Sequence, residues 1–194
     1  MTTQIVFATH NSNKTAEIQK LIGVGFSIKT LDEIGLSQEI PETSNTLEGN
    51  ALQKSSFVYD KFKCNVFSDD TGLEVFSLKG EPGVYSARYA GEQKNNEQNI
   101  SLLLKNLKGF TDRSAQFRTV ISLFYENNNY MFEGIVKGKI IEKKRGSFGF
   151  GYDSIFVPEG YDKTFAEISL EEKNKISHRA IAFRKMFDKL KSIY

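Results

Sequence analysis

Short apolar runs alternate with longer stripes of helical period along the chain. Ile5-Val6-Phe7-Ala8 is a continuous run of strand length, and the polar stretch Thr9-His10-Asn11-Ser12-Asn13 follows it. From Lys14 to Ile22 the apolar residues Ile18, Leu21 and Ile22 share one helical face, which predicts a helix. Thr46 stands at the N-cap of a second helix reaching Phe62, with Leu47, Ala51, Val58 and Phe62 on its buried face. Val66-Phe67 reads as the last part of a buried strand ending near Asp69, with Gly72 turning the chain away before Leu73-Glu74-Val75-Phe76. A turn-rich loop spans Lys79 to Gly83. Asn95 to Leu107 is expected to be helical through Ile100, Leu103, Leu104 and Leu107.

The period then switches to two. Ala115, Phe117, Thr119, Ile121 and Leu123 alternate with their neighbours, as in a long strand, and Tyr130 to Val136 returns as its hairpin partner after an asparagine loop. A glycine-rich loop from Gly146 to Gly151 leads into Tyr152 to Val157. Ile176, Ala180, Phe183, Phe187 and Leu190 mark a last helix, with Ser177 at its N-cap. Helices interleave with strands, and no repeat, low-complexity tract or linker intervenes. The expected class is α/β with one central mixed sheet, residues 1–194 forming a single domain.

Composition narrows the chemistry. A chain of 194 residues buries a substantial core without staples. The net charge of +2 is too small to argue for nucleic acid, and Lys143-Lys144-Arg145 reads as a solvated loop. No apolar run approaches a membrane span and no signal-peptide pattern opens the chain, so no membrane partner is expected. Cys64 is the only cysteine, which fits a cytoplasmic protein. One cysteine with His10 and His178 makes a poor zinc set, so any metal is expected to be hard and oxygen-bound, Mg²⁺ or Mn²⁺.

The adjacent acids of Ser68-Asp69-Asp70-Thr71-Gly72 are the strongest chemical signal. Neighbouring side chains on a strand face opposite ways, so Asp69 and Asp70 are expected to do different jobs. Such a pair is costly to desolvate without a cation or donors. Polar clusters at Thr9–Lys14 with Glu17, at Glu42 with Asn50 and Lys54, and at Phe150–Asp153 with Lys173–Arg179 accompany it. The inventory complements a nucleoside triphosphate. Lys14 and Lys54 offer point charges for phosphates, and Thr9, Asn11 and Asn13 offer hydrogen bonds. Glu42 and Asp70 suit Mg²⁺, and Phe150 and Tyr152 offer aromatic faces for a base. Each piece also has a bland reading: an exposed helix pair for Lys14 and Glu17, a loop acid for Glu42, a solvated lysine for Lys54, core filling for Phe148 and Phe150. His178-Arg179 breaks a local rule, because cations are unfavourable at a helix N-terminus.

Together these residues resemble the inosine triphosphate pyrophosphatase family, the noncanonical purine nucleoside triphosphate pyrophosphatases. The resemblance rests on six segments in the family's order. They are Ala8 to Lys14 with Glu17, Glu42 to Ala51 with Lys54, Ser68 to Leu73, Pro82 to Tyr89 (which contains Arg88), Phe150 to Asp153 and Glu172 to Arg179. His10, and Ser44 or Asn45, stand where members often carry glycine. The resemblance implies an elongated α/β fold with a long central mixed sheet and two lobes around a cleft, a homodimer and dependence on Mg²⁺, with Mn²⁺ as a substitute. It implies hydrolysis of ITP, dITP and XTP to the monophosphate and pyrophosphate, which keeps deaminated purines out of DNA and RNA. Within it, Thr9, His10, Asn11, Ser12, Asn13, Lys14, Lys54 and Thr71 correspond to substrate-binding positions. Phe150, Gly151, Tyr152, Asp153, Lys173, His178 and Arg179 correspond to positions around the base, Glu42 and Asp70 to metal ligands, and Asp70 to the proton acceptor.

Two other readings compete. One is a house-cleaning pyrophosphatase with another base preference, such as modified pyrimidine nucleotides. The other is a nucleotide- or RNA-binding module without turnover, suggested by the pI of 8.5 and the many aromatics. The acids Glu42, Asp69 and Asp70 argue against the second, because acids repel phosphate unless a metal intervenes.

Overall fold

Side chains of the first strand, β1 (Thr3–Phe7), alternate between two cores, and this alternation organises everything near it. In the computed structural model, which describes residues 2–22 and 25–193, Ile5 and Phe7 pack with Ile18 of α1 (Ser12–Gln19) and with Phe183, Met186, Phe187 and Leu190 of α5 (His178–Ile193). Val6 and Ala8 pack with Leu31, Leu36 and Val58, the last from α2 (Leu47–Phe62). Helices therefore cover both faces, the arrangement expected of a strand that is apolar throughout. β1 pairs in parallel with β2 (Phe26–Lys29) on one side and with β3 (Val66–Val75) on the other. The chain goes from β1 through α1 to β2 on one side and only later through α2 to β3 on the other, and open α/β sheets take ligands at the carboxyl ends of strands where the order so reverses.

Completing the set are β4 (Pro82–Gly83), α3 (Asn96–Asn106), β5 (Ser114–Tyr125), β6 (Asn128–Ile140), β7 (Phe156–Pro158) and α4 (Leu170–Ile176). Among the described residues the strands form one mixed sheet in the order β2-β1-β3-β5-β6-β7, with β4 antiparallel to β3. The chain divides into two compact units. The first is Met1–Asp70, Thr119–Gly134 and Ala180–Tyr194. The second is Thr71–Arg118 and Ile135–Arg179, built on a core of Leu73, Val75, Leu103, Phe117, Phe156 and Phe165 among others.

The periodic readings of α2, α3 and β5 hold, the returning strand β6 runs further at both ends than Tyr130 to Val136 and takes Asn128 and Asn129 out of the expected loop, and Thr46 caps α2 by accepting from Gly49 N at 3.1 Å. Four other readings change. The first helix spans Ser12–Gln19 rather than Lys14 to Ile22, because Asn11 is the N-cap, accepting from Asn13 N and Lys14 N, and Lys20 is the C-cap. β3 does not end at Asp69. It continues through Gly72 to Val75, and Gly72 serves a close approach instead of a turn: a Cβ there would lie 2.6 Å from the Gly83 carbonyl oxygen of β4. Ile176 belongs to α4, which precedes α5 as a separate seven-residue helix with Ser169 as its N-cap. β2 had no counterpart in the sequence reading.

Candidate active site

In the first unit, the end of β1 and the middle of β3 bring a polar cluster together. Ala8 N still donates to Phe67 O at 2.7 Å, but the paired register of β1 stops at Phe7. Asp69 and Asp70 therefore lie just past the pairing, beside the Thr9–Asn13 loop that leads into α1. As alternation predicts, the two acids part company. Asp69 Oδ1 accepts from Lys14 Nζ at 2.9 Å, with both side chains largely withdrawn from water. Asp70 turns to α2, where Oδ2 accepts from Asn50 Nδ2 at 3.1 Å and Oδ1 lies 3.5 Å from Lys54 Nζ. Lys54 also bonds the Glu42 carboxylate.

The α2 residues reach this point because of their spacing. Leu47, Asn50, Ala51, Lys54, Ser55 and Val58 are the buried stripe of the helix, and three of the six are polar. Burial pushes the Asp70 carboxyl above the usual carboxylate range. Lys54 and Lys14 oppose that rise, Glu42 adds to it, and the Asn50 hydrogen bond opposes it. Burial also works against the Lys54 ammonium, but Asp70, Glu42 and Asp69 outweigh it and hold Lys54 above the usual lysine value. Two carboxylates thus converge on one cation. Thr9 and Lys14 are partly exposed, whereas His10, Asn11, Ser12 and Asn13 are exposed. The Thr9 hydroxyl accepts from Asn11 N, and His10 Nε2 lies 3.0 Å from Gln38 O.

The second unit holds the other cluster. Gly149 and Gly151 adopt positive φ of 73° and 59°, so the loop curls and lets Phe150 N donate to Asp153 Oδ2 at 3.0 Å. The same Asp153 oxygen accepts from Lys173 Nζ at 2.6 Å, and both side chains are almost fully buried. Lys173 Nζ lies 5.2 Å from the centre of the Phe150 ring and the Arg179 guanidinium 5.7 Å from it. Arg179 Nη2 donates to the Thr71 hydroxyl at 3.2 Å. His178 is buried and stacks on Phe117 with ring centres 4.6 Å apart, so an aromatic core contact accompanies its place at the helix start. Tyr152 is also in the core, with its hydroxyl donating to Ser86 O at 2.9 Å and burial pushing its ionisation up. Phe150 is thus the ring of the pair that stays partly exposed, and Tyr152 builds the wall behind it.

The Pro82–Tyr89 segment has a supporting part. Ser86 Oγ accepts from Leu73 N at 2.8 Å and donates to Gly83 O at 2.6 Å, tying it to β3. Arg88 lies over the Tyr85 ring at 5.4 Å. Two contacts escaped the sequence reading. Asp69 as the holder of Lys14 and Asn50 as the holder of Asp70 were legible only as polar residues at core-facing positions.

The first cluster pairs acids with lysines at a strand end, and the second gathers donors around an aromatic ring beside a glycine-rich loop. These features belong to an α/β protein with an acid–lysine cluster in one unit and a donor-lined aromatic ring in the other. The family model described as the Ham1 family matches residues 5–189, and the chain belongs to that family. A dITP/XTP pyrophosphatase of Flavobacterium johnsoniae is 53% identical over 187 residues, covering 96% of this chain and 97% of that protein. The dITP/XTP pyrophosphatase of Bacillus subtilis is 44% identical, covering 94% of each. Among solved structures, the Staphylococcus aureus Ham1 protein superposes with a TM-score of 0.89 at 41% identity, covering 98% of this chain and 100% of that one. A HAM1 protein from Coxiella burnetii gives 0.90 at 34% identity, with 98% and 99% covered.

Proposed function

We propose that this protein hydrolyses deaminated purine nucleoside triphosphates (ITP, dITP and XTP) to the monophosphate and pyrophosphate, and so cleanses the nucleotide pool. The observation that carries the reading is the convergence of Glu42 and Asp70 on Lys54, with Lys14 held by Asp69 nearby. Lysines alone would make an anion site. Lysines interleaved with buried acids make a site for an anion that arrives with a metal ion. Relatives named dITP/XTP pyrophosphatase, similar over nearly the whole chain, supply the substrate class.

The metal is part of the proposal. Glu42 and Asp70 offer hard carboxylate oxygens, which fit Mg²⁺, an ion that keeps several waters and shares phosphate oxygens. When bound, the ion supplies charge neutralisation at the phosphates. The chain's own residues do the rest. Lys14 and Lys54 stabilise charge developing on the pyrophosphate leaving group, with the loop of Thr9, His10, Asn11, Ser12 and Asn13 along the phosphate chain. Water attacks the α-phosphorus, the bond from that phosphorus to the bridging oxygen breaks, and the bridging oxygen leaves with pyrophosphate. Asp70 accepts the proton lost by the attacking water. Its carboxyl, raised by burial, is a better base than an exposed aspartate.

Base choice falls to the second cluster. A 6-oxo purine presents an acceptor where adenine presents an amine. Lys173 and Arg179 carry donors only, so they suit the oxo group, with Phe150 as the stacking ring and Thr71, Gly151, Tyr152, Asp153 and His178 as its frame. An amine facing those donors leaves them unpaired, at about 1–3 kcal/mol each. We take residues 1–194 as one functional domain, because the family model spans both units and because Asp70 and Thr71 are consecutive in β3. A homodimer in the cytoplasm completes the proposal. Among the described residues no helix is long and apolar enough to cross a membrane.

The test is pyrophosphate release from ITP, XTP, dITP, GTP, ATP and CTP, with Mg²⁺ and with EDTA. Metal-dependent release concentrated on ITP, dITP and XTP is the expected result. Binding without release moves the protein to the nucleotide-binding modules, and release mainly from other nucleotides moves it to a different house-cleaning class.

A further inference from the structure

Asn50 is 2% exposed, and both ends of its amide are engaged. Its Oδ1 accepts from Ser44 N at 2.9 Å, and its Nδ2 donates to Asp70 Oδ2 at 3.1 Å. The orientation of the amide is not free. A backbone N–H only donates, so the carbonyl end must face Ser44 and the NH₂ end must face Asp70. Asn50 therefore links two things the proposed site needs together. One is the Asp70 carboxylate. The other is the loop carrying Glu42, two residues before Ser44.

The rest of that loop is tied down mostly by exposed contacts. Thr43 N donates to Gln53 Oε1 at 2.9 Å, and Thr46 N donates to Ser44 Oγ at 3.2 Å. The bond from Ser44 N to Asn50 is more protected, because its acceptor comes from a buried side chain. The loop also packs closely on the helix: a Cβ at Gly49 would overlap the Ser44 side chain. Asp70 Oδ2 taken by Asn50 leaves Oδ1 as the oxygen directed to Lys54. Without the amide, the Asp70 carboxylate loses the bond that fixes Oδ2, and the loop carrying Glu42 loses the tether from Ser44 N.

We propose that Asn50 is a positioning residue that sets the Asp70 carboxylate and, through Ser44, the approach of the Glu42 loop. The inference rests on the reading of Glu42 and Asp70 given above. It assigns Asn50 a part in the reaction without contact to substrate. Loss of such an outer partner typically weakens metal affinity or activity by about 10–100-fold.

The experiment compares wild type, Asn50→Ala, Asp70→Asn and the double variant in two assays. One is Mn²⁺ binding to the nucleotide-free protein by electron paramagnetic resonance. The other is steady-state hydrolysis of ITP. The expected result for Asn50→Ala is Mn²⁺ binding about tenfold or more weaker and kcat lower by a similar factor, with KM changed less than about threefold. In the Asp70→Asn background, the same substitution should add much less to the Mn²⁺ loss, since the partner it acts through is gone. Asn50→Ser provides the same comparison where the alanine variant does not fold. Wild-type Mn²⁺ affinity and kcat in the folded variant overturn the proposal, and so does a Mn²⁺ loss equally large in both backgrounds. Full turnover in Asp70→Asn with Asn50 intact overturns it together with the reading it rests on.

Discussion

Burial holds the Asp70 carboxyl above the ordinary carboxylate range even though Lys54 and Lys14 pull it down. A carboxyl raised by folding stabilises the protein in its protonated form. That contribution is complete below the unfolded pKa and is lost as pH rises through the folded one. Ionised Asp70 is therefore a strain on the metal-free protein at neutral pH, and Asp70→Asn relieves it. The variant should lose about 10²–10⁴-fold or more in turnover while melting higher than wild type in EDTA at neutral pH. The melting difference should vanish in acid, where wild-type Asp70 carries its proton. Differential scanning calorimetry at several pH values measures both trends, and a variant that melts lower at neutral pH refutes the account. Lys54 behaves oppositely. Its side chain is 7% exposed, and its ammonium is held charged by the acids around it. Its stabilisation is present below the ordinary lysine pKa and is lost only above the raised one. Removing one partner of a buried pair is expected to destabilise by about 3–5 kcal/mol, so Lys54→Met should lower the urea midpoint sharply at pH 7. The loss should shrink as pH falls and the acids protonate.

At the scale of elements, legibility followed periodicity. α2 was readable end to end because a cap residue and a long apolar stripe agree, and β5 because Ala115, Phe117, Thr119, Ile121 and Leu123 recur at every second position. α4 was not, since seven residues between Ser169 and Ser177 give too few turns for a stripe to stand out. β2 was missed because all four of its residues are half-buried and it contains a serine and a lysine. The candidate site was readable as types of residue but not as partners. Nothing in the sequence says that Asp69 takes Lys14 while Asp70 takes Asn50, because that depends on which helix covers each face of β3. Gly72 was misread for a related reason. Glycine signals a turn or a close approach equally well, and only the strand at Pro82–Gly83 decides between them. The close approach makes its own prediction. Gly72→Ala places a methyl 2.6 Å from a backbone carbonyl that β4 holds in place, so overpacking should destabilise by about 1–3 kcal/mol. Activity should fall too, since Thr71 and Asp70 are the preceding residues of the same strand. Chemical unfolding alongside an ITP assay reads both, and an unchanged midpoint would mean the strand yields at no cost.

At the scale of the whole molecule, the two clusters belong to different units and carry different chemistry, acids with lysines in one and donors around an aromatic ring in the other. Damage to them should then separate. Loss of Asp70 or Lys54 removes chemistry common to every triphosphate, so all substrates suffer alike. Loss of Arg179 removes donors that matter only for the base. Arg179 bonds the Thr71 hydroxyl and lies over Phe150, so its guanidinium is fixed in direction before any ligand arrives. A fixed donor discriminates well, because an amine cannot satisfy it and it cannot swing aside. If one such donor accounts for about 1–3 kcal/mol of selectivity, Arg179→Ala should reduce the ratio of kcat/KM for ITP over ATP by about 5–150-fold. The change should come mostly from a weaker ITP reaction rather than a faster ATP one, since alanine adds no partner for the amine. GTP is the informative third substrate. It shares the 6-oxo group, so its kcat/KM should fall in parallel with ITP and leave the ITP-over-GTP ratio nearly unchanged. An unaltered ITP-over-ATP ratio would remove Arg179 from base selection. A collapse of the ITP-over-GTP ratio would show that Arg179 instead shapes the pocket wall near the 2-position, and would shift the weight of 6-oxo recognition to Lys173, held in place by Asp153.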